Sequence, residues 1–89
     1  MTKAAPSAEI LERLFALIES RKGGDPAASY TAKLLADGKG RAAKKLGEEA
    51  AETVIAAMAG TPSELVRESA DLLYHLLVLW AAAGVEHEQ

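Results

Sequence analysis

The stretch TPSELVRESADLLYHLLVLWAAAG, residues Thr61–Gly84, decides the fold of this sequence. Thr61 is a good helix N-cap, Pro62 suits the first helical position, and Glu64 stands where a capping box has its acidic residue. Gly84 is a good terminator because glycine adopts left-handed backbone angles at no steric cost. Between these signals apolar residues nearly encircle the helix, so we predict a long helix that other helices must cover on every side.

Two shorter helices are predicted near the start of the sequence. The first begins after Ser7 as N-cap and ends near Arg21, because its apolar residues follow helical spacing and two glycines come next. Asp25 and Pro26 resemble an N-cap followed by proline at the first helical position. They predict a short second helix that runs to about Asp37.

A third helix is predicted from about Arg41 to about Ala59. Gly38 and Gly40 precede it, and Gly60 ends it. Because only a short turn at Gly60 separates it from the fourth helix, the two should form a central antiparallel hairpin. Scarce β-branched residues and abundant Ala and Leu also favour helix over strand. The predicted fold class is all-α, a bundle of about four helices in a single domain, residues 1–89.

Composition excludes several classes of function. The 89 residues contain no cysteine, so disulfides and thiolate metal sites are excluded, and we expect a cytoplasmic protein. The N-terminal segment lacks the apolar core of a signal peptide, and the apolar run 72–85 is too short to span a bilayer. The net charge of −3, with no basic patch, argues against nucleic acid as a partner.

The segment KKLGEEAAE, residues 44–52, holds three acids close together: Glu48, Glu49 and Glu52. The fourth helix carries Glu68 and Asp71 at a similar helical spacing. Taken alone, an acidic stripe is usually the solvated face of an amphipathic helix. The alternative is that the two stripes face each other.

Register favours this alternative. In a hairpin that turns around Gly60, Glu52 lies level with Glu68, and Glu49 lies level with Asp71. Each close carboxylate pair would cost about 3 kcal/mol at an effective dielectric of about 20. Such a group should share protons or hold a cation, and hard oxygen ligands favour Mg²⁺, with Mn²⁺ possible. Asp71 should distinguish best between a solvated stripe and a cation site. It borders an apolar run, so we expect it to be partly buried, and a buried acid needs a partner.

Basic residues lie close to the acidic cluster. Lys44 and Lys45 precede Glu48 by about one turn, and Lys33 and Arg41 lie just upstream. Each of them alone would usually be a solvated surface charge. Their concentration beside a magnesium site suggests that some contact phosphate groups of a nucleotide substrate.

Three segments, SYTAKLL, KKLGEEAAE and ELVRESADLLYHLLVLW, resemble the phosphoribosyl-ATP pyrophosphohydrolase family, whose fold is of the all-α MazG type. The resemblance implies Mg-dependent hydrolysis of 1-(5-phosphoribosyl)-ATP at the α–β phosphoanhydride, giving phosphoribosyl-AMP and pyrophosphate in the second step of histidine biosynthesis. Family members commonly continue a short way past the last long helix, whereas this sequence ends at Gln89.

The same resemblance assigns roles to individual residues. It implies metal binding by Glu49, Glu52, Glu68 and Asp71. Glu48 and Glu49 are the candidate catalytic residues, with Glu48 either a further ligand or the group that orients the attacking water. The candidate substrate-binding residues are Ser29, Tyr30, Thr31, Lys33, Lys44 and Lys45.

Two alternatives stay open. One is a house-cleaning pyrophosphatase for non-standard nucleoside triphosphates, and the other is a non-catalytic helical dimerisation module. His75 could act as a base, but we expect it to pack beside Tyr74 with one structural hydrogen bond. Because short neighbours could hardly cover the fourth helix, we also predict a homodimer in which the long helices pack across the two-fold axis.

Overall fold

A computed structural model describes residues 8–85 of the chain. The regular secondary structure of these residues consists of four helices joined by turns and loops, with no strand. The predicted N-cap Ser7 lies outside the described residues. The helices are α1 (Ala8–Glu19), α2 (Tyr30–Asp37), α3 (Lys39–Ala59) and α4 (Pro62–Ala83).

The predicted ends of α4 are confirmed. The Thr61 hydroxyl accepts a hydrogen bond from the Glu64 amide, and the Glu64 carboxylate accepts one from the Thr61 amide, which completes the capping box. Gly84 ends the helix in the left-handed conformation with φ 81°, where a side chain would be strained. A two-residue connection, Gly60 and Thr61, therefore joins α3 to α4.

The predicted start of α2 at Asp25 and Pro26 is wrong. The Asp25 carboxylate accepts from the Ala27 amide, and its backbone carbonyl accepts from the Ala28 amide, so this segment closes a local turn instead. The N-cap is Ser29, whose extended backbone separates the turn from the helix and whose hydroxyl accepts from the Ala32 amide. Both serine and aspartate are good caps, and pattern alone did not distinguish them.

The helix α3 begins earlier than the sequence predicts. Gly38 forms the break after α2 with φ 96°, and α3 starts at Lys39 with Gly40 already inside it. Gly38 alone therefore separates the two helices, because one residue with positive φ is enough to change the direction of the backbone. The predicted end at Ala59 is confirmed.

The hydrophobic core lies where α1 and α2 pack against the C-terminal half of α4. Phe15 and Ile18 from α1, Leu34 from α2 and Val78 from α4 are its largest fully buried side chains. The Phe15 ring meets Trp80 edge to face, with ring centroids 6.2 Å apart. This core anchors α4 at one end and leaves its N-terminal half beside α3.

The apolar surface of α4 is incompletely covered in the single chain. Leu73 is 43% exposed and Val66 is 69% exposed, while on α3 Val54, Ile55 and Met58 are exposed too. The described part of the chain thus leaves α4 uncovered at Val66 and Leu73, as the sequence predicted for this helix. Within the described residues, no helix is long and apolar enough to cross a membrane.

Candidate metal and substrate site

Three acids from two helices converge on one point. Glu49 of α3 and Glu68 and Asp71 of α4 each offer a carboxylate oxygen, and these three oxygens lie within 4.8 Å of one another. The structure thus brings together three of the four acids that the sequence assigned to a metal. Spacings of this kind suit several oxygen ligands around one small divalent cation.

Burial within this cluster differs from the prediction. Asp71, which was expected to be partly buried, is exposed, and burial along the helix increases only after it, at Leu72 and His75. Glu49 and Glu68 are partly buried instead. One oxygen of each, Oε2 of Glu49 and Oε1 of Glu68, is sealed from solvent and has no hydrogen-bond partner among the described residues. Such oxygens fit poorly with a solvated acidic stripe.

The electrostatics of Glu49 reflect this crowding. Burial raises the pKa of Glu49, and the nearby carboxylates of Glu52, Asp71 and Glu68 raise it further. His75 acts in the opposite direction. A cation bound at this point would offset the repulsion between the carboxylates. It would therefore favour the ionised form of Glu49, which is the form that binds a metal.

Glu52, the fourth predicted ligand, lies beside the three-acid cluster. Its side chain is exposed and lines a cavity of about 330 Å³ together with Glu68 and Glu64, where α3 turns into α4. Its charge still reaches Glu49, as the raised pKa of that carboxyl shows. Glu52 therefore stands outside the set of three acids whose oxygens lie within 4.8 Å of one another, and it faces the cavity beside them.

Glu48 is exposed, and its carboxylate pairs with Lys45 at 3.2 Å. The hydrogen bond to Glu48 is the largest cause that raises the pKa of Lys45, and Tyr30 contributes as well. The two predicted site residues thus neutralise each other at the rim of the cluster. Lys44 is exposed on the neighbouring face of α3.

The predicted substrate residues of α2 divide into two groups. Ser29 uses its hydroxyl as the α2 N-cap, and Lys33 is exposed and pairs with Asp37 at 3.5 Å. Tyr30 and Thr31 instead join α2 to α4. The Tyr30 hydroxyl lies 3.2 Å from His75 Nε2, and the Thr31 hydroxyl is hydrogen-bonded to the Tyr74 hydroxyl.

His75 is buried and makes two hydrogen bonds, not the single one expected. Its Nδ1 lies 2.8 Å from the backbone carbonyl of Asp71, and since a carbonyl can only accept, Nδ1 is the donor. Nε2 faces the Tyr30 hydroxyl, which donates to it when the ring is neutral. The expected packing beside Tyr74 is confirmed, with ring centroids 4.9 Å apart. His75 thus connects α2 to the turn that carries Asp71.

Thr53 was not predicted as a site residue, yet it contacts the backbone of two of the three clustered acids. Its hydroxyl donates toward the backbone carbonyl of Glu49 at 2.8 Å and toward that of Glu68 at 3.2 Å. The only available signal was a threonine four residues after Glu49 in an otherwise alanine-rich helix. This signal is weak, because threonines occur in helices for many reasons.

Three carboxylates that the two longest described helices bring to one point can hold a divalent cation, the kind of site found in proteins that act on phosphates. Comparison with known families agrees, because residues 11–89 match the model of the phosphoribosyl-ATP pyrophosphohydrolase family. The chain therefore belongs to the phosphoribosyl-ATP pyrophosphohydrolase family, a family of hydrolases that act on a nucleotide.

Individual relatives support this membership. The phosphoribosyl-ATP pyrophosphatase of Paramagnetospirillum magneticum is 62% identical over 82 residues, which cover 92% of this chain and 75% of the relative. The protein of the same name from Caulobacter sp. strain K31 is 70% identical over 77 residues, covering 86% and 71%. That from Azospirillum brasilense is 58% identical over 80 residues, covering 90% and 72%.

Proposed function

We propose that this chain hydrolyses 1-(5-phosphoribosyl)-ATP between its α and β phosphates, releasing pyrophosphate and phosphoribosyl-AMP, with Mg²⁺ as the cation and Mn²⁺ as a substitute. One observation carries the proposal. Glu49 and Glu68 each keep one sealed, unpartnered carboxylate oxygen within a cluster whose ligand atoms lie inside 4.8 Å. In a member of this hydrolase family, a cation is the natural partner for such oxygens.

The donor set fits magnesium. Carboxylate oxygens are the hard ligands that Mg²⁺ and Mn²⁺ prefer, and neither sulfur nor a pair of histidines competes for a softer metal here. Glu49, Glu68 and Asp71 would hold the cation, and Glu52 would complete the set from the cavity side. When bound, the cation would polarise the phosphate oxygens and help to position a water for attack.

The chain's own side chains would supply the remaining chemistry. Water attacks the α-phosphorus, a carboxylate of the Glu48–Glu49 pair accepts its proton, and the bond to the bridging oxygen breaks as pyrophosphate leaves. Lys44 and Lys45 stand on the adjoining turn of α3, where they would balance the charge of the departing pyrophosphate.

Residues of α2 would bind the rest of the substrate. Tyr30 is 52% exposed and stacks against Tyr74, with ring centroids 6.4 Å apart, so an open aromatic surface lies near Lys45. Lys33 is exposed on the same helix. Ser29 and Thr31 already make hydrogen bonds within the protein and would contribute through shape or through exchange of those bonds.

The site is completed, in this proposal, by an antiparallel α3–α4 hairpin within a cytoplasmic homodimer. The Thr53–Glu68 hydrogen bond and the convergence of Glu49 with Asp71 support the hairpin register. The exposed apolar residues of α3 and α4 support the dimer, since a second copy would cover them.

The activity test compares pyrophosphate release from phosphoribosyl-ATP, ATP and dUTP, each with Mg²⁺. We expect phosphoribosyl-ATP to be strongly preferred, and we expect Glu49→Gln to abolish release while the helical content stays unchanged. Glu12→Gln, an exposed acid of α1, is the matched control and should retain activity. Preference for dUTP would instead favour a house-cleaning pyrophosphatase, and full activity of Glu49→Gln would refute the assignment of the site.

A further inference from the structure

The Thr53 hydroxyl has acceptors on two helices. A threonine inside a helix commonly donates to the carbonyl four residues earlier, and the 2.8 Å contact with Glu49 is of this ordinary kind. The 3.2 Å contact with the carbonyl of Glu68 is different, because it crosses from α3 to α4. The single hydroxyl proton is thus shared between the two turns that carry Glu49 and Glu68.

Thr53 shares one face of α3 with Glu49 and with two small residues nearer the turn. Glu49, Thr53, Ala56 and Gly60 follow one another at steps of four and three, so they form one stripe along the helix. Ala56 is buried, and a Cβ placed on Gly60 would lie 3.0 Å from both the Ala56 carbonyl oxygen and a Glu64 carboxylate oxygen. The short Thr53 side chain thus lies in a stripe with a buried alanine and a turn glycine, and from there its hydroxyl reaches a backbone carbonyl of the opposite helix.

We propose that Thr53 is a positioning residue that fixes the register of α3 against α4 and thereby brings the carboxylates of Glu49 and Glu68 together, an inference that rests on the proposed cation site. Its two acceptors belong to the same residues whose carboxylate oxygens are sealed and unpartnered. A slip of one residue would turn Glu49 by about 100° around the helix axis. The carboxylates would then no longer share a ligand.

The first test is calorimetric titration of the full chain with Mn²⁺. Thr53→Val keeps the shape of the side chain and removes the hydroxyl, so we expect Mn²⁺ affinity to fall by about tenfold. Thr53→Ser keeps the hydroxyl and should stay within about twofold of the unaltered chain. Tyr74→Phe is the matched control, because it also removes a hydroxyl that joins two helices, here α2 and α4, without removing a bond to Glu49 or Glu68, and it should bind Mn²⁺ normally.

These titrations separate the effect of the Thr53 hydroxyl from the effect of the shape of its side chain. Equal affinity of Thr53→Val and the unaltered chain would overturn the proposal, as would equal losses in Thr53→Val and Thr53→Ser. An equal loss in Tyr74→Phe would also overturn it, because general weakening of helix packing would then explain the effect. Failure of the unaltered chain to bind Mn²⁺ would instead count against the cation site itself.

A second test needs no metal and so separates the two proposals. Because the chain has no cysteine, nitroxide labels can be placed selectively at Ala51→Cys on α3 and Ala70→Cys on α4, two exposed positions. Pulsed electron paramagnetic resonance on metal-free protein, diluted with unlabelled chain, measures the distance between them. We expect Thr53→Val to shift or broaden the distance distribution and Thr53→Ser to preserve it. An unchanged distribution in Thr53→Val would overturn the role in register, whatever the metal result.

Discussion

Glu49 and Glu68 approach each other from different helices, and each keeps one carboxylate oxygen that neither solvent nor a hydrogen-bond donor of the described residues reaches. Two such oxygens destabilise a protein unless a hydrogen-bond donor or a positive charge lies beside them. Burial removes their hydrogen bonds to water, and nothing among the described residues replaces those bonds. The folded chain is therefore locally destabilised at the proposed cation site, and a bound cation would remove this cost.

The first prediction concerns the stability of the metal-free protein as a function of pH. Burial and neighbouring acids raise the pKa of Glu49, so the folded state binds this proton more tightly than the unfolded chain does. Its stabilising contribution is present below the unfolded-state pKa and is lost as pH rises through the folded-state pKa. Glu49→Gln should therefore raise the thermal midpoint at pH 8 by about 3 °C and have no such benefit near pH 4.

Circular dichroism melts of both proteins at the two pH values, with a chelator present, provide the measurement. Glu48→Gln is the matched control, because Glu48 is exposed and paired with Lys45, and it should not raise the midpoint at pH 8. A Glu49→Gln variant that is no more stable than the unaltered chain at pH 8 would show that Glu49 is well solvated.

The second prediction concerns the connection between α2 and α4. Tyr30→Phe removes the hydroxyl that faces the Nε2 atom of the buried His75, so we expect it to lower the free energy of unfolding by about 1 kcal/mol. Urea denaturation measures the change, and the ¹⁵N shifts of the His75 ring should show Nδ1 protonated in both proteins. Unchanged stability would mean that water replaces the tyrosine hydroxyl without loss.

The third prediction concerns the start of α4. Thr61→Ala removes the side-chain half of the capping box and should destabilise the protein by about 1 kcal/mol. Ser63→Ala, two residues further on and exposed, is the control and should change stability little. Equal effects of the two substitutions in urea denaturation would mean that the cap contributes nothing beyond general helix propensity.

How far the sequence predicts this fold depends on how local the determining contacts are. Thr61, Glu64 and Gly84 define α4 through bonds to residues a few positions away, so the pattern was sufficient. The start of α2 was misplaced because Asp25 and Ser29 are both good caps, and the choice between them depends on how the preceding turn packs.

The site, too, has features that the sequence predicts and features that depend on packing. Helical spacing placed Glu49, Glu68 and Asp71 on facing stripes, and the structure brings them together. Which acids are buried was not predictable, since it depends on how closely the helices approach and on what covers each edge. The role of Thr53 was missed for the same reason: its second acceptor lies fifteen residues away, on another helix.

The fourth prediction concerns assembly. Val54 and Met58 lie one turn apart on α3 and are 62% and 83% exposed, as expected for a surface that a second copy covers. Val54→Glu combined with Met58→Glu should convert the proposed dimer to a monomer, as measured by light scattering at micromolar concentration. Leu17→Glu, at an exposed position of α1, is the control and should leave the dimer intact. An unaltered chain that is already monomeric would contradict the proposed assembly.

The central claim is that Glu49 and Glu68 compensate their sealed oxygens by holding a divalent cation together. Isothermal titration of Mg²⁺ or Mn²⁺ into the chain, in the presence of a nucleotide, tests this most directly, with Glu49→Gln and Glu68→Gln beside the exposed control Glu12→Gln. We expect saturable uptake by the unaltered chain and by the control, and affinity lowered by about tenfold or more in the two cluster variants. Uptake that is absent from the unaltered chain, or equally strong in all four proteins, would contradict the account.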